Sequence, residues 1–316
     1  MTANNHIAVI GFSNATSPLL PLWPTTHRAM LPVAGKPLVV HHIERLAAAG
    51  VTHIRIAGSI QQFAVRKRVG DGGEWGVTVR YSDLHGPDLR NECVITNGTC
   101  LYLLGDELSA VRANENLADV DPGAEVVADD ISAPGLYQLK DNQLTARCYD
   151  SSRENSECFT NIAGPGDFLR SNTQAARGLL EGIVLPVLRI HEAAVADWHS
   201  RIDSTAYIGA GIVIGKHCFV RGTARLEENV VLSNGVIVDH GACLENVVVL
   251  PNTYVNSALR LKDAVVGPQG ILATDGTFYP AKDHRLVGGT RSASEQQTGI
   301  PGRLPTPWRL DVAISG

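Results

Sequence analysis

An aliphatic side chain returns at every sixth position between residues 202 and 250, and this period constrains the fold more than any other feature. The positions hold only isoleucine, valine or leucine: Ile202, Ile208, Ile214, Val220, Leu226, Leu232, Val238, Leu244 and Leu250. A small or apolar side chain follows four residues after each of the first eight: Ala206, Ile212, Cys218, Ala224, Val230, Val236, Ala242 and Val248. A period of six matches neither a helix nor a strand, and it is typical of a repeat architecture.

A six-residue unit fits a short strand followed by a tight corner. Three such sides close one triangular coil, successive coils hydrogen-bond about 4.8 Å apart, and the aliphatic side chains fill the interior. The stretch resembles the hexapeptide-repeat family of left-handed β-helices, and residues 200–253 would form about three coils. The left hand is implied by this resemblance alone, because the usual crossover rule predicts the opposite hand. The open end and flat faces of such a stack predict a homo-oligomer assembled through the β-helix.

The first half of the chain alternates strands with helices. Residues 6–11, 51–57 and 77–81 have the apolar character of strands, and helical spacing begins at Leu38 and again at Ser59. This alternation predicts a doubly wound α/β sheet, which binds ligands beyond the carboxyl ends of its strands. We therefore predict three parts: an α/β domain at 1–185, a β-helix at 186–280 and a C-terminal tail at 281–316.

Charge and composition exclude several classes of partner. The net charge is −5 and no basic run is present, which argues against nucleic acid or an anionic membrane as the main partner. No stretch approaches the roughly 18 apolar residues of a spanning helix, and the first residues lack the basic start of a signal peptide, so we expect a cytoplasmic protein. The six cysteines show no CxxC spacing, which predicts neither a zinc site nor a disulfide framework.

Two segments closely resemble signatures of the nucleotide-sugar pyrophosphorylases. Residues 30–38 read MLPVAGKPL and residues 161–172 read NIAGPGDFLRSN, while Gly70-Asp71-Gly72 and Trp75-Gly76-Val77 extend the match between them. Several of these enzymes also carry a C-terminal hexapeptide β-helix. The resemblance implies a shortened, doubly wound nucleotidyltransferase-like α/β domain followed by a left-handed parallel β-helix. It also implies the family reaction, in which a sugar 1-phosphate and a nucleoside triphosphate give a nucleotide sugar and pyrophosphate.

The phosphate-binding loop of that family, G-G-x-G-T-R, falls on residues 13–18, where its glycines and its arginine are missing. Ser13, Asn14 and Thr16 stand at the glycine positions, and Pro18 stands at the arginine position. Glycine lets a bare backbone wrap a diphosphate, whereas proline supplies neither a positive charge nor an N–H group. We expect this loop not to hold a triphosphate.

Three further positions bear on the chemistry. Arg28 keeps a cation at the place of the family's lysine, although with a different geometry. When the family's Asn-Gly-Asp is aligned with residues 97–99, Thr99 replaces one metal-binding aspartate, and Asn161 replaces the second. Because Mg²⁺ prefers carboxylate oxygens, this alignment predicts no metal site and no cofactor. The segments that would line the nucleotide and the sugar are also short for the family.

We therefore predict a non-catalytic pyrophosphorylase homologue that regulates or scaffolds polysaccharide or nucleotide-sugar metabolism. Its expected partners are an active biosynthetic enzyme and a nucleotide or sugar-phosphate ligand. Two alternatives stay open. One is an active sugar-1-phosphate nucleotidyltransferase with a rebuilt site that uses Mg²⁺. The other is a hexapeptide-repeat acyltransferase with His240 as general base, against which the uninterrupted run of hexads argues.

Overall fold

A computed structural model describes the residues 7–11, 17, 19–23, 28–48, 50–57, 63–82, 100–104, 107–109, 126–127, 136–140, 143–147, 159–180, 183–186, 188–191, 193–257, 259–281 and 287–289. These form two compact units. The first holds the described residues of Met1–Thr16, Thr26–Leu31 and Pro37–Asn161, and the second those of Ser17–Thr25, Pro32–Lys36 and Ile162–Gly316. The two units interleave along the sequence.

The elements are numbered in chain order. The strands are β1 (Ile7–Gly11), β2 (Pro32–Val33), β3 (Lys36–Pro37), β4 (His53–Ala57), β5 (Thr78–Ser82), β6 (Cys100–Leu104), β7 (Glu107–Ser109), β8 (Val126–Val127), β9 (Leu136–Lys140), β10 (Gln143–Arg147), β11 (Phe159–Asn161), β12 (Leu188–His191), β13 (Ala194–Ala196), β14 (Arg201–Ile202), β15 (Tyr207–Ala210), β16 (Ile212–Ile214), β17 (Phe219–Val220), β18 (Arg225–Glu228), β19 (Val230–Leu232), β20 (Ile237–Val238), β21 (Cys243–Val249), β22 (Thr253–Val255), β23 (Arg260–Gly267), β24 (Gly270–Ala273), β25 (Phe278–Pro280) and β26 (Val287–Gly289). The helices are α1 (Leu38–Ala48), α2 (Phe63–Val69) and α3 (Pro165–Ala176), and short 3-10 turns span Arg28–Met30 and Gly73–Trp75.

The first unit is built on a seven-stranded sheet of order β5-β4-β1-β6-β9-β10-β8. Strands β5, β4, β1 and β6 are parallel, while β9 is antiparallel to β6 and continues into the antiparallel strands β10 and β8. The chain moves from β1 to β4 and β5 on one side and later returns to β6 on the other. The predicted doubly wound sheet is confirmed, with antiparallel strands added at one edge.

Helix α1 buries its apolar stripe on this sheet because its aliphatic residues recur at helical spacing. Val39, Ile43 and Leu46 pack in one cluster with Ile54 and other strand residues. The helix stops at Gly50, whose φ of 82° allows the N–H groups of Gly50 and Val51 to donate to carbonyls of the last turn. A glycine in the left-handed region is a common helix stop.

The second unit is a parallel β-helix with three faces. Face A contains β13, β16, β19, residues 247–249 of β21 and residues 264–266 of β23. Face B contains β14, β17, β20 and β22, with β26 antiparallel to β22 at its edge. Face C contains β15, β18 and the first residues of β21 and β23. Antiparallel strands end the repeat, with β12 before β13 on face A and β24 after β23.

The inward positions follow the predicted six-residue spacing only as far as Leu244. Leu226 pairs with Leu244, but Leu232 pairs with Val249 and not with Leu250, so this side of the coil is one residue shorter. Val249 belongs to the interior cluster, whereas Leu250 is buried outside it. The ninth aliphatic position was therefore wrongly assigned to the interior, and the shortened coils continue to Val266.

Nine corners of the described coils turn through a residue with positive φ. One column of corners has Gly211, Asn229, Asn246 and Asp263, a second has His217, Gly235 and Asn252, and a third has Thr223 and Gly241. Glycine and asparagine enter this region at low cost, which explains why they recur at the corners.

The outer surface of face A is covered by the chain itself. Val213, Val231, Val248 and Val265 point away from the interior, yet none has any exposed area. Helix α3 packs against β19, β21 and β23, and its buried side chains include Phe168 and Leu169. Face A is thus apolar on both sides, in contrast to faces B and C.

Candidate functional site

The strand order of the first unit identifies where a ligand is expected. Doubly wound sheets bind ligands outside the carboxyl ends of the strands, at the point where the strand order reverses. Here that point lies between β1 and β6, whose last residues, Gly11 and Leu104, are paired in register. The candidate site is therefore the edge of the sheet at which these two strands end.

Four of the predicted site residues follow β1 directly in sequence. Ser13, Asn14, Thr16 and Pro18 lie outside the described residues. Strand β1 ends at Gly11, so the chain enters this segment from the carboxyl edge of the sheet. The assignment of residues 13–18 to the family's phosphate-binding loop stays a prediction.

The topology disagrees with the assignment of Thr99 to a metal-binding position. Thr99 lies outside the described residues, but it immediately precedes β6 and so enters at the amino end of that strand. Five residues at about 3.3 Å each separate the two ends, roughly 16 Å. The acidic residue that follows the carboxyl end is Asp106, in Gly105-Asp106, which also lies outside the described residues. An apolar run followed by Gly-Asp therefore makes Asp106 a second candidate for this position.

Asn161 is brought to the same edge by an antiparallel pair. Its Cα lies opposite that of Glu107 in the pairing of β11 with β7. Glu107 is the next residue in sequence after Asp106. Asn161 therefore stays a prediction that is compatible with this topology, and Thr99 stays a prediction that lies at the other end of β6.

The donor chemistry at this edge fits Mg²⁺ poorly. Asp106 offers a carboxylate, but Asn161 offers only a neutral amide where the family has its second acid. In the part of the chain that the structure describes, no group of three or more His, Cys, Asp or Glu side chains could hold a metal ion. We therefore derive no step through a metal.

Arg28 begins a 3-10 turn that packs against α1 and α2. Its side chain is half-buried and already engaged with other groups of the protein. The carbonyl of Arg28 accepts a hydrogen bond from the N–H of Leu31 at 3.0 Å. This position therefore combines the cation expected from the sequence with a local structural role.

Family-like glycines at residues 70–72 shape a turn. Gly72 has φ 88°, and a Cβ there would lie 2.6 Å from the carbonyl oxygen of Val77. Asp71 Oδ1 accepts a hydrogen bond from the Gly73 N–H at 3.1 Å, and the Asp71 carbonyl accepts one from Val79 at 2.7 Å. The turn joins the end of α2 to β5, so this motif serves the fold.

Asn172, the last residue of the second signature segment, is fully buried in the second unit. Its Oδ1 accepts a hydrogen bond from the Ala34 N–H at 2.9 Å, and its Nδ2 donates to the Phe168 carbonyl at 2.9 Å. The two signature segments of the sequence therefore meet through a buried side chain. Its polar atoms are occupied by backbone groups.

His240, the predicted base of the acyltransferase alternative, is an exposed residue beyond β20. Its Nδ1 lies 2.9 Å from the carbonyl oxygen of Gly222, which can only accept, so in the neutral ring Nε2 remains the acceptor. Its N–H donates to Asp239 Oδ1 at 2.8 Å. The described coils from 193 to 257 follow one another without the looped insertion that such an enzyme uses to hold its acyl donor.

Several known nucleotidyltransferases resemble this chain in sequence. A sequence model of the family described as "Nucleotidyl transferase" matches residues 15–137. The mannose-1-phosphate guanylyltransferase of Mycobacterium tuberculosis is 25% identical over 308 residues, covering 78% of this chain and 84% of that protein. The N-acetylmuramate alpha-1-phosphate uridylyltransferase of Neisseria meningitidis is 36% identical over 101 residues, covering 32% of this chain and 43% of that protein.

A third relative matches across most of both chains. The glucose-1-phosphate thymidylyltransferase of Streptomyces griseus is 21% identical over 282 residues, which is 81% of this chain and 79% of that protein. The long matches extend beyond the first unit in sequence. Separately, no helix in the described ranges is long and apolar enough to cross a membrane.

Proposed function

We propose that this chain, a homologue of the nucleotide-sugar pyrophosphorylases with a nucleotidyl transferase domain, does not itself make nucleotide sugars. It acts as a regulatory or scaffolding component in polysaccharide or nucleotide-sugar metabolism. The observation that carries the proposal is the sequence that follows the carboxyl end of β1, where Ser13, Asn14 and Thr16 stand at glycine positions and Pro18 stands at the arginine position. A side chain at each of these places removes the bare backbone that a triphosphate needs.

The pattern of retained residues supports the same conclusion. Among the family-like residues that the structure describes, Gly72 and Asn172 have packing and hydrogen-bonding roles. Asn161, whose family counterpart binds metal, is changed. A chain that needs the fold but not the reaction would keep the first kind of residue and lose the second.

The electrostatic cost of these changes is large. Attack on the α-phosphate builds negative charge, and one hydrogen-bond donor to such charge is worth about 10²–10³ in rate. Binding and aligning two substrates accounts for roughly 7–11 kcal/mol of a barrier. Losing the loop and one acid together therefore leaves too little stabilisation for an ordinary turnover. A nucleotide or sugar phosphate held at this edge would serve as a signal, and an active biosynthetic enzyme is the expected protein partner.

A pyrophosphate-release assay tests the proposal. Its panel follows the names of the relatives: mannose, glucose and N-acetylmuramate 1-phosphates with GTP, dTTP and UTP in the presence of Mg²⁺. We expect no release above background, with an active guanylyltransferase as positive control. Turnover near the ordinary value of about 1 s⁻¹ would overturn the proposal. Calorimetry with the same ligands identifies any that still bind.

An active nucleotidyltransferase is the second candidate, and Gly105-Asp106 after β6 is the observation that favours it. If turnover is found, Asp106→Asn should abolish it and Thr99→Val should not. Retained turnover in Asp106→Asn would reject Asp106 as the acid of the site.

The acyltransferase candidate rests on the hydrogen bond between His240 and Gly222. It predicts thiol release from acyl-CoA with an amino sugar, lost in His240→Ala and kept in His217→Ala. We expect no thiol release from the wild type or from either variant, because the described coils lack an insertion that would hold the acyl donor.

A further inference from the structure

The three faces of the β-helix differ in what they present outward. On face A, α3 packs against β19, β21 and β23, and the outward valines from Val213 to Val265 have no exposed area. Face C carries charged side chains that pair within the face, such as Arg225 with Glu227 and Lys262 with Glu245, both at 2.6 Å. Face B has a row of outward side chains that are partly or fully exposed and include three large apolar groups: Arg201, Phe219, Ile237 and Tyr254.

A second row on face B alternates in charge. Asp203, Arg221 and Asp239 each follow the inward residue of their strand, and their N–H groups donate to the next coil in matching positions. Asn256 occupies the same place in the last coil. Arg221 Nη1 donates to Asp239 Oδ1 at 3.1 Å, with side-chain exposures of 25% and 14%. Aromatic and arginine side chains of this kind are enriched in protein interfaces.

These two rows are complementary to themselves under one two-fold rotation. If the axis runs along the strands and lies midway between β17 and β20, it exchanges β14 with β22 and β17 with β20, while β26 lies beyond β22 and outside these pairs. The facing pairs are then Arg201 with Tyr254, Phe219 with Ile237, Asp203 with Asn256, and Arg221 with Asp239. They comprise a cation-π pair, an apolar pair, a hydrogen-bonding pair and an ion pair, with no like charges opposed.

Other placements of the axis lack this complementarity. An axis lying over β17 or β20 would bring Arg221 or Asp239 against its own copy, and like charges facing each other oppose association. An axis parallel to the coil stack would set Ile237 against Asp239. The fit of these eight outward residues in one register supports a second copy of the same chain as the occupant of face B.

We propose that face B is a dimer interface, on which a second copy of this chain packs with its coil stack reversed. In an isologous interface, residue i contacts residue j and residue j contacts residue i. Two ion pairs between Arg221 and Asp239 of opposite copies flank two apolar pairs between Phe219 and Ile237. Dimerisation is independent of whether the first unit is catalytic, because every residue involved belongs to the second unit.

Two charge-reversal variants test the register. Arg221→Asp makes both positions negative, and Asp239→Arg makes both positive, so each variant alone opposes like charges across the proposed axis. We expect each to weaken the dimer by more than about thirtyfold, because unpairing one partner of a desolvated charge pair costs at least that much. An equimolar mixture should restore a dimer that contains one copy of each, since both facing pairs then have opposite signs.

The mixture separates this contact from the pair within one chain. Arg221 and Asp239 also bond to each other inside a copy, and that bond stays broken in both variants of the mixture. Only pairing between copies can therefore restore association. Sedimentation velocity on the full-length chain gives the readout, and native mass spectrometry distinguishes mixed from like pairs.

The controls test whether the variants remain folded and whether a different face of the β-helix forms the dimer. Circular dichroism and cooperative unfolding should show both variants folded. Arg225→Asp, an arginine of face C that also has an ion-pair partner, should leave the dimer unchanged. Ile237→Lys should give a folded monomer without changing either charge. Two results would overturn the proposal. One is a wild-type chain that stays monomeric at about 100 μM, a concentration at which a specific interface of ordinary size would be occupied. The other is an equimolar mixture of the two charge-reversal variants that stays monomeric. The first of these results would assign face B to another occupant.

Discussion

The side chain of Asn172 accepts a hydrogen bond from the backbone N–H of Ala34, although 138 residues separate them in the sequence. Ala34 has a positive φ of 46° and lies next to Gly35, at the turn between β2 and β3. The bond therefore holds a turn of the MLPVAGKPL segment against a helix that covers face A. In this chain, the similarity of both segments to the pyrophosphorylases is maintained at least in part by packing.

Replacing Asn172 with alanine should lower the free energy of unfolding by about 2–3 kcal/mol, because the Ala34 N–H is left buried without its partner. Urea unfolding followed by circular dichroism measures the loss. Ser171→Ala is the matched control: Ser171 is equally buried, and its hydroxyl donates to the Asp167 carbonyl within the same helix at 2.8 Å. That change should cost less than about 1 kcal/mol, and equal losses would contradict the assigned role of Asn172.

Gly72→Ala should destabilise the protein by about 2–4 kcal/mol, because the new Cβ meets the Val77 carbonyl oxygen and a Val79 methyl group, each at 2.6 Å, in a left-handed conformation. Gly76 offers a control in the same turn, with φ 70° and nothing within 4 Å of its Cβ position. Gly76→Ala should therefore cost only the left-handed conformation, about 1–2 kcal/mol. Thermal unfolding of the two variants measures both losses of stability. A larger loss of stability in Gly76→Ala than in Gly72→Ala would contradict this prediction.

Asn161→Asp should strengthen Mg²⁺ binding by about tenfold, equivalent to about 1.4 kcal/mol, while Thr99→Asp should leave it unchanged. The difference arises because Asn161 is paired with Glu107 beside Asp106, whereas Thr99 enters the opposite end of β6. Calorimetry with Mg²⁺ alone provides the measurement. Neither variant should synthesise a nucleotide sugar, since residues 13–18 are unchanged. Tighter Mg²⁺ binding in Thr99→Asp would contradict the assignment made from the topology.

The stability contributed by Asp239 should depend on pH in a defined direction. Burial acts to raise the pKa of Asp239, but hydrogen bonds from the Tyr254 hydroxyl and the His240 N–H, together with the charge of Arg221, outweigh burial and hold this pKa below its ordinary value. A lowered carboxyl pKa contributes stability that is present above the unfolded value of about 3.9 and is lost as the pH falls through the folded value.

Asp239→Asn should therefore lower the free energy of unfolding at pH 7, and its difference from wild type should shrink as the pH falls below about 4. Urea unfolding at pH 7, 5, 4 and 3, at one protein concentration, follows this convergence. Glu228→Gln removes a carboxylate from an exposed position and serves as the control. A difference between Asp239→Asn and wild type that stays constant down to pH 3 would show that the carboxylate charge contributes no stability.

The repeat could be predicted from sequence because every inward position demands an aliphatic side chain. The shortened coil could not, since Val249 and Leu250 are both aliphatic and only strand pairing shows which of them faces inward. The metal position could not be decided from sequence for a related reason: Asn97-Gly98-Thr99 resembles Asn-Gly-Asp locally, but only the direction of β6 shows which end of the strand it precedes. Local pattern thus identified the elements, and long-range pairing decided which residues they bring together.

The helix over face A has a consequence for how this chain can change in length. A solenoid can in principle grow or shrink by whole coils, because each coil contacts only its neighbours. Helix α3 has 12 residues, about 18 Å at 1.5 Å per residue, and coils spaced about 4.8 Å apart place its three contact strands within that length. A coil inserted among these three would separate strands that α3 now contacts together, and a deleted one would remove a strand from beneath the helix. A change in coil number at this point would therefore also require α3 to repack on face A.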